Sequence, residues 1–483
     1  MKSFVSALGM ATAAFAVVTG AGAADLPSRK SAPVEYVRIC TAYGAGFFYI
    51  PGTDSCLRLS GRVRAEFTVG DSYGNAYDSY GTRARGRLNV DVRTQTAYGT
   101  LRTFFRYELT NSSNMYNGAI GGNQGFIVPG AARTSQTSTA SNLDLAFVQF
   151  GPITAGRAQS FFDFYANDLG FSALRTSDSR LNLLAYTATF GSGYSATISL
   201  EDRTTGTGAR DSFAVTTTSI ANARVRTNAD GTATLTTLDF GRTVPIGGQD
   251  FPDIVASLRV DQGWGSAQLS GAFRQNRVTA LTYTQPGQDP SVVAGTRGGD
   301  DYGWAIQGGV KVNLPMLAAG DDLWLQAAYA DGALGYIGYG GTAGIGRLPQ
   351  ISAADIGFDP LTGQVKNSTG FSLVAGLRHF WMPILRSELY GSYSELNLAH
   401  SARAAFYGDN AVVRSLNPKE LIVAGNLIWS PVSGLDLGVE VVYSRVEYKS
   451  RVQSLNDLGV RVAGVGIKSD DSFAGRLRIQ RDF

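Results

Sequence analysis

Residues Leu57 to Val69 read LRLSGRVRAEFTV. Leu59, Gly61, Val63, Ala65, Phe67 and Val69 fall on one side of a period of two, and Arg58, Ser60, Arg62, Arg64, Glu66 and Thr68 fall on the other. Side chains switch faces at every residue of a strand, so this is a strand with one apolar face and one densely charged face. The pattern returns in RARGRLNVDVR, where Arg83, Arg85, Arg87, Asn89, Asp91 and Arg93 oppose Ala84, Gly86, Leu88, Val90 and Val92. It returns again in LRTFFRYEL, where Arg102, Arg106 and Glu108 oppose Leu101, Phe105, Tyr107 and Leu109.

Similar segments are predicted near 142–150, 152–158, 181–190, 194–202, 252–262, 265–276, 302–313, 322–332, 370–380, 384–397, 418–429, 434–447 and 472–483, which with the first three makes sixteen strands. Short links such as Thr96-Ala97, Gly151, Gly263-Trp264 and Trp381 to Pro383 alternate with long ones near 70–82, 111–141, 159–180, 203–251, 277–301, 333–369, 398–417 and 448–471. Tight turns then gather at one end and long loops at the other. A soluble sandwich has no reason to sort its loops by parity, whereas an outer-membrane barrel does. The fold class expected is all-β: a closed antiparallel transmembrane β-barrel of sixteen strands. Eighteen remains the alternative count, because FAVTTTSIA and TATLTTLDF within 203–251 have the composition of another hairpin. Tyr107, Phe190, Tyr194, Phe380, Trp381, Trp429 and Tyr443 fall near segment ends, as interfacial aromatic girdles require.

Met1 to Ala23 reads as a signal peptide, with Lys2 at the charged start, an apolar stretch to Val18 and Ala21-Gly22-Ala23 as the cleavage site. The apolar stretch is too short for an ordinary membrane anchor. Residues 24–57 form an N-terminal segment on the periplasmic side, and 58–483 the barrel. Cys40 and Cys56 are the chain's 2 cysteines, and in an oxidising compartment they are expected to form a disulfide. So few cysteines, with only 2 histidines, argue against zinc or iron-sulfur centres, and no cofactor or metal is expected. Forty-two basic against 39 acidic residues leave a net charge of +3, which does not suit a nucleic-acid binder.

The final segment FAGRLRIQRDF puts Phe473, Gly475, Leu477, Ile479 and Phe483 on one face. It resembles the aromatic terminal strand of outer-membrane proteins, which implies the barrel assembly machinery as a partner. Residues 35–64, EYVRICTAYGAGFFYIPGTDSCLRLSGRVR, resemble the opening of the mature porins of rhizobia, brucellae and related alphaproteobacteria. FVQFGPITAGRAQSFFDF at 147–164 and LNLLAYTATFGSGYSATISLE at 181–201 carry the same resemblance. The family implies a sixteen-stranded homotrimer in the outer membrane of a Gram-negative bacterium, passing small hydrophilic solutes and ions by diffusion. It also implies that the link near 159–180 folds inward to narrow the pore.

Nine arginines, Arg58, Arg62, Arg64, Arg83, Arg85, Arg87, Arg93, Arg102 and Arg106, crowd the polar face of three adjacent strands. A dry interior penalises each unpaired cation heavily, so this wall predicts a water-filled lumen with opposing carboxylates. Asp163, Asp168 and Asp178 of the inward link are candidates to face the wall, with Arg175 and Arg180 as ties back to it. Glu66, Asp91, Glu108, Glu388 and Glu440 are expected to pair with neighbouring arginines. An enzyme is the first rival reading, but His400 and Ser401 are adjacent on opposite faces, and His379 stands beside a turn. A substrate-specific channel for a sugar or anion is the stronger alternative, and an adhesive or structural barrel is a third. Outer-membrane lipid and lipopolysaccharide are expected neighbours. The glycines of YIGYGGTAGIG, within 333–369, read as flexibility in a surface loop.

Overall fold

The computed structural model describes residues 38–71, 78–116, 137–207, 221–227, 233–240, 249–283, 295–340, 342–343, 348, 351–358, 365–399, 416–455 and 461–483. The predicted signal peptide and His400 lie outside the described residues.

Sixteen antiparallel strands form one closed sheet. They are β1 (Ser55–Gly70), β2 (Tyr80–Thr96), β3 (Gly99–Ser113), β4 (Thr137–Phe150), β5 (Ile153–Gln159), β6 (Arg180–Thr189), β7 (Tyr194–Thr207) and β8 (Asp253–Gln262). The second half comprises β9 (Gly265–Tyr283), β10 (Gly295–Asn313), β11 (Asp322–Asp331), β12 (Thr369–Met382), β13 (Leu385–Asn397), β14 (Lys419–Val432), β15 (Leu435–Leu455) and β16 (Arg461–Asp482). Each strand pairs with the next in sequence, and β16 returns to β1 with Arg62 opposite Asp482 and Gly70 opposite Ala474. Closure removes both sheet edges, so the sheet's ladder is satisfied all the way round.

TATLTTLDF does enter a hairpin, Ala221–Thr227 with Ala233–Phe240, but its partner strand is ANARVRT, the pair is a separate two-stranded sheet, and FAVTTTSIA lies outside the described residues except for Ala221. β7 pairs directly with β8, which leaves no place in the barrel for two more strands and makes the count sixteen. β9, β10, β15 and β16 run further than alternation predicts, β15 as far as Leu455 and β16 from Arg461. A strand that rises beyond the apolar belt has no lipid on its outer face, so its extension carries no alternating pattern to read.

Leu59, Val63 and Phe67 are exposed on the outside, while Glu66 and Thr68, on either side of Phe67, are buried on the inside. Outward hydrophobicity is matched by inward polarity along β1, as the alternation requires. The short links and both ends of the barrel lie on one side. There Cys40 and Cys56 are disulfide-bonded and pack with Phe47. The pair closes a separation of 16 residues and ties a two-residue strand, Phe48–Tyr49, to Cys56 and Leu57 of β1.

Two links fold into the lumen, where the sequence reading expects one. The first is 160–179. The second begins after β11: the 3₁₀ turn Leu334–Ile337 is wholly buried and sets Tyr336 edge-on to Phe162 of the first, 4.7 Å between ring centres. YIGYGGTAGIG therefore begins inside the barrel, which corrects the surface-loop expectation for its opening residues. Gly338, at φ +84°, sits where a Cβ would meet the backbone of Thr176, so this glycine serves close approach as well as turning.

Candidate functional site

The inward link 160–179 is built to lie along one wall. Ser160 Oγ donates to Glu201 of β7, and the Gln268 and Gln307 amides of β9 and β10 both donate to the Phe162 carbonyl. Tyr165 N donates to Gln326 of β11, and Phe164 and Tyr165 pack against Trp324. Gly170 N donates to Glu388 of β13 at 2.7 Å, and Phe171 N to Glu440 of β15 at 2.7 Å. Arg476 and Arg478 of β16 then hold the Phe171 carbonyl. The link thus covers the inner face from β7 to β16 and leaves the side formed by β1 to β6 open.

That open side carries the arginine wall. A cavity of about 260 Å³ lies between it and the link, bounded by Arg62, Arg64, Arg83, Arg85, Arg87, Glu108, Asp144, Asp178, Arg180 and Arg478, with Asn167 and Gly170 to Ala173 opposite. Ion pairs run along the wall: Arg62 with Asp482 at 2.5 Å, Arg83 and Arg478 with Glu66, and Arg87 with Glu108 at 2.5 Å. Arg93 and Arg102 share Asp91 nearer the turn side, at 2.8 and 3.0 Å, and Arg106 reaches Asp144 at 3.3 Å. Arg93 also lies over the Phe47 ring, 5.0 Å from its centre, which joins the wall to the disulfide-bonded segment.

The three candidate acids are placed differently from one another. Asp163 is turned into its own link, accepting from Ser177 Oγ at 2.5 Å and from Ser179 N at 2.7 Å. A turn that buries this many polar backbone groups needs an internal acceptor, and Asp163 supplies it rather than facing the wall. Asp178 lines the cavity, 3.2 Å from Arg180, which in turn reaches Asp144 at 3.4 Å. Asp168 is half-exposed on the far side, 3.7 Å from Arg378 of β12. Arg175 ties the link to the wall through Glu420 at 2.7 Å, whereas Arg180 opens β6 and pairs within the cavity. Partial desolvation within the lumen pushes the half-exposed Asp168 carboxyl above its ordinary value, with Asp322 and Glu388 adding to the effect. Burial does the same for Asp178, helped by the neighbouring Asp163.

His379 is bonded through Nδ1 to Asp321 Oδ2 at 2.6 Å, next to the Trp381 ring at the turn side. The sequence reading missed two anchors of the first link, Glu420, which holds Arg175, and Tyr390, whose hydroxyl accepts from Phe171 N at 3.0 Å, and the whole second inward link. A signal was present. On β11 and β14 the inward positions include Trp324, Ala328 and Ala330, and Ile422, Ala424 and Ile428. Apolar residues on both faces of a strand mean that both faces are covered.

A closed sixteen-stranded barrel, apolar outside and charged inside, with a charged cavity beside an inward link, defines an outer-membrane diffusion channel. The family profile described as "Porin subfamily" matches residues 25–475, and the chain belongs to that porin family. "Porin Omp2b" of Brucella suis biovar 1 (strain 1330) is 30% identical over 344 residues, covering 66% of this chain and 82% of that one. "Porin Omp2b" of Brucella neotomae is 29% identical over 335 residues, 68% of this chain and 74% of that one. Among solved structures, the outer-membrane channel DcaP of Acinetobacter baumannii aligns with a TM-score of 0.55 at 15% identity, covering 90% of this chain and 99% of that one, a likeness of fold. The protein resides in the outer membrane of a Gram-negative bacterium and passes solutes by passive diffusion.

Proposed function

We propose that the chain is a general porin for small hydrophilic solutes and ions, with the passage between the arginine wall and the inward link as its narrowest point. The observation that carries this reading is the arginine-lined cavity itself, because a charged wall of this density is stable only in contact with water. Asp178 and Arg180 then act at the constriction, with Asp168 on the approach from the turn side. Arg175 holds the constriction in place, and Asp163 gives the link its shape. The barrel supplies a path and a filter and performs no catalysis.

The same reading includes a homotrimer in the plane of the membrane, as the family resemblance implies, with β16 presented to the assembly machinery during insertion. Lipopolysaccharide is the outer-leaflet neighbour. Supporting this, Lys419, Lys449 and Lys468 border a groove with Tyr329 and Phe371 at the loop-side rim, where lipid phosphates meet apolar chains. The second inward link favours one alternative, a channel selective for a sugar or an anion, because it narrows the lumen further.

Planar-bilayer recording of the purified protein tests the proposal. Long-lived conductance steps that close in three sublevels, with solute flux linear in concentration, are expected. Flux that saturates at low solute concentration transfers the assignment to the selective channel. Folded protein that conducts nothing overturns both.

A further inference from the structure

The rung of the arginine wall that carries Arg64 and Arg85, both bordering the cavity, has no carboxylate across β16, β1, β2 and β3, and unlike Arg93 and Arg102, which share Asp91, its two guanidiniums share none. Across β16, β1, β2 and β3, one inward rung aligns Asp482, Arg62, Arg87 and Glu108, and the next but one aligns Arg478, Glu66, Arg83 and Ser112. The rung between them aligns Gln480, Arg64, Arg85 and Thr110. Two guanidinium groups therefore face each other directly on neighbouring strands, with neutral Gln480 and Thr110 as their in-line neighbours. Like charges directly opposite in a ladder are unfavourable.

The local bonds do not cancel that charge. Arg64 gives both Nε and Nη2 to Gln480 Oε1, at 2.9 and 2.7 Å, and among the described residues has no carboxylate within 4.0 Å. Arg85 gives Nε to Thr110 at 2.9 Å and comes no nearer than 3.6 Å to Glu108, an acid that Arg87 already holds at 2.5 Å. Both side chains border the cavity, while the acids that border it are engaged: Glu108 by Arg87, Asp144 by Arg106, and Asp178 by Arg180. The surplus at the narrowest point is positive.

We propose that the Arg64 and Arg85 rung is a transient site for small oxyanions, carboxylate or phosphate, and that the channel prefers anions. This rests on the diffusion-channel reading above and names the solute class. A guanidinium offers parallel N–H donors spaced for two oxygens of one anion, so the pair matches carboxylate and phosphate better than a halide. The cavity is wet and its neighbouring charges are paired, which keeps the site weak. A permeating ion must be held loosely enough to leave.

The test uses the full protein in planar bilayers with a KCl gradient, and adds succinate or inorganic phosphate on one side. A zero-current potential of chloride sign, and partial block of chloride current by the added oxyanion, are expected. The Arg64→Gln/Arg85→Gln double variant should lose the block and lower the chloride-to-potassium permeability ratio by about threefold. Arg64→Lys/Arg85→Lys should keep the chloride preference but weaken the block, because an ammonium lacks the planar fork. Block by succinate alone assigns the site to carboxylates, and block by phosphate alone assigns it to phosphate. A potassium-signed potential in the unmodified protein, no block by either anion, or an unchanged Gln variant overturns the inference while leaving the diffusion channel intact. Absence of steps from folded protein overturns the channel reading itself.

Discussion

Arg175 Nε lies 2.7 Å from Glu420 Oε2, and the same guanidinium lies over the Tyr339 ring, 4.2 Å from its centre. Its Nη1 also donates to the Gly338 carbonyl at 3.1 Å. One side chain thus joins the first inward link, the second inward link and β14 of the wall. Removing one member of a buried ion pair leaves the other uncompensated, at a cost of about 3 kcal/mol or more. Arg175→Ala is expected to loosen both links and raise the unitary conductance, with more current noise, in single-channel recordings. Equal conductance in the variant would show that the links hold without it.

Gly170 marks where the first link turns beside the wall. Its φ is +72°, and a Cβ there would enter the Tyr390 ring. Gly170→Ala combines left-handed strain of about 1 kcal/mol with that overlap. The expected outcome is a displaced link within an intact barrel: heat-modifiable gel mobility like that of the unmodified protein, with changed conductance.

The raised carboxyls of Asp168 and Asp178 set a pH dependence. Ordinary aspartate titrates near 3.9, so as pH falls from neutral these two take up protons before an exposed aspartate does. Each protonation removes a negative charge from the passage or its approach, so chloride preference should rise with acidification, beginning above about pH 4. Reversal potentials measured between pH 7 and about 4 check the sign, and Asp168→Asn with Asp178→Asn should flatten the response.

The Cys40–Cys56 bridge closes a short segment against β1, and loop-closure entropy alone makes it worth about 3 kcal/mol. Cys40→Ser with Cys56→Ser, or thiol reduction, should lower the thermal transition followed by circular dichroism. Sixteen strands remain to close the barrel, so conducting channels are still expected at room temperature.

Gly61 and the chain terminus form another close contact. Gly61 N donates to the Phe483 carbonyl at 2.8 Å and Phe483 N to the Gly61 carbonyl at 3.0 Å, with the Phe483 ring occupying the space a Cβ would need. Gly61→Val should expel that ring and destabilise the seam between β16 and β1 by about 1–3 kcal/mol. A lower denaturation temperature on gels, and slower insertion into liposomes, are the readouts.

Alternation along β1, β2 and β3 was enough to read a barrel with an apolar exterior and an arginine-rich interior, because every strand residue reports in turn on lipid and lumen. Loop parity and the terminal strand oriented it, and the two cysteines placed the disulfide. The paired acids Glu66, Asp91 and Glu108 were legible as well, since a strand's inward face follows from its outward one.

The course of the two inward links was decided by tertiary structure. Asp163 and Asp178 lie in the same link, yet one carboxylate is consumed inside it and the other reaches the passage. No local pattern separates them, because their partners, Ser177 and Ser179 for one and Arg180 for the other, are set by how the link folds back. Glu420 meets Arg175 across 245 residues, and the Arg64 and Arg85 rung exists only once strand register is set. Period two tells which face a side chain takes; only closure of the barrel, which brings β16 beside β1 and folds two links between them and the opposite wall, tells what it faces.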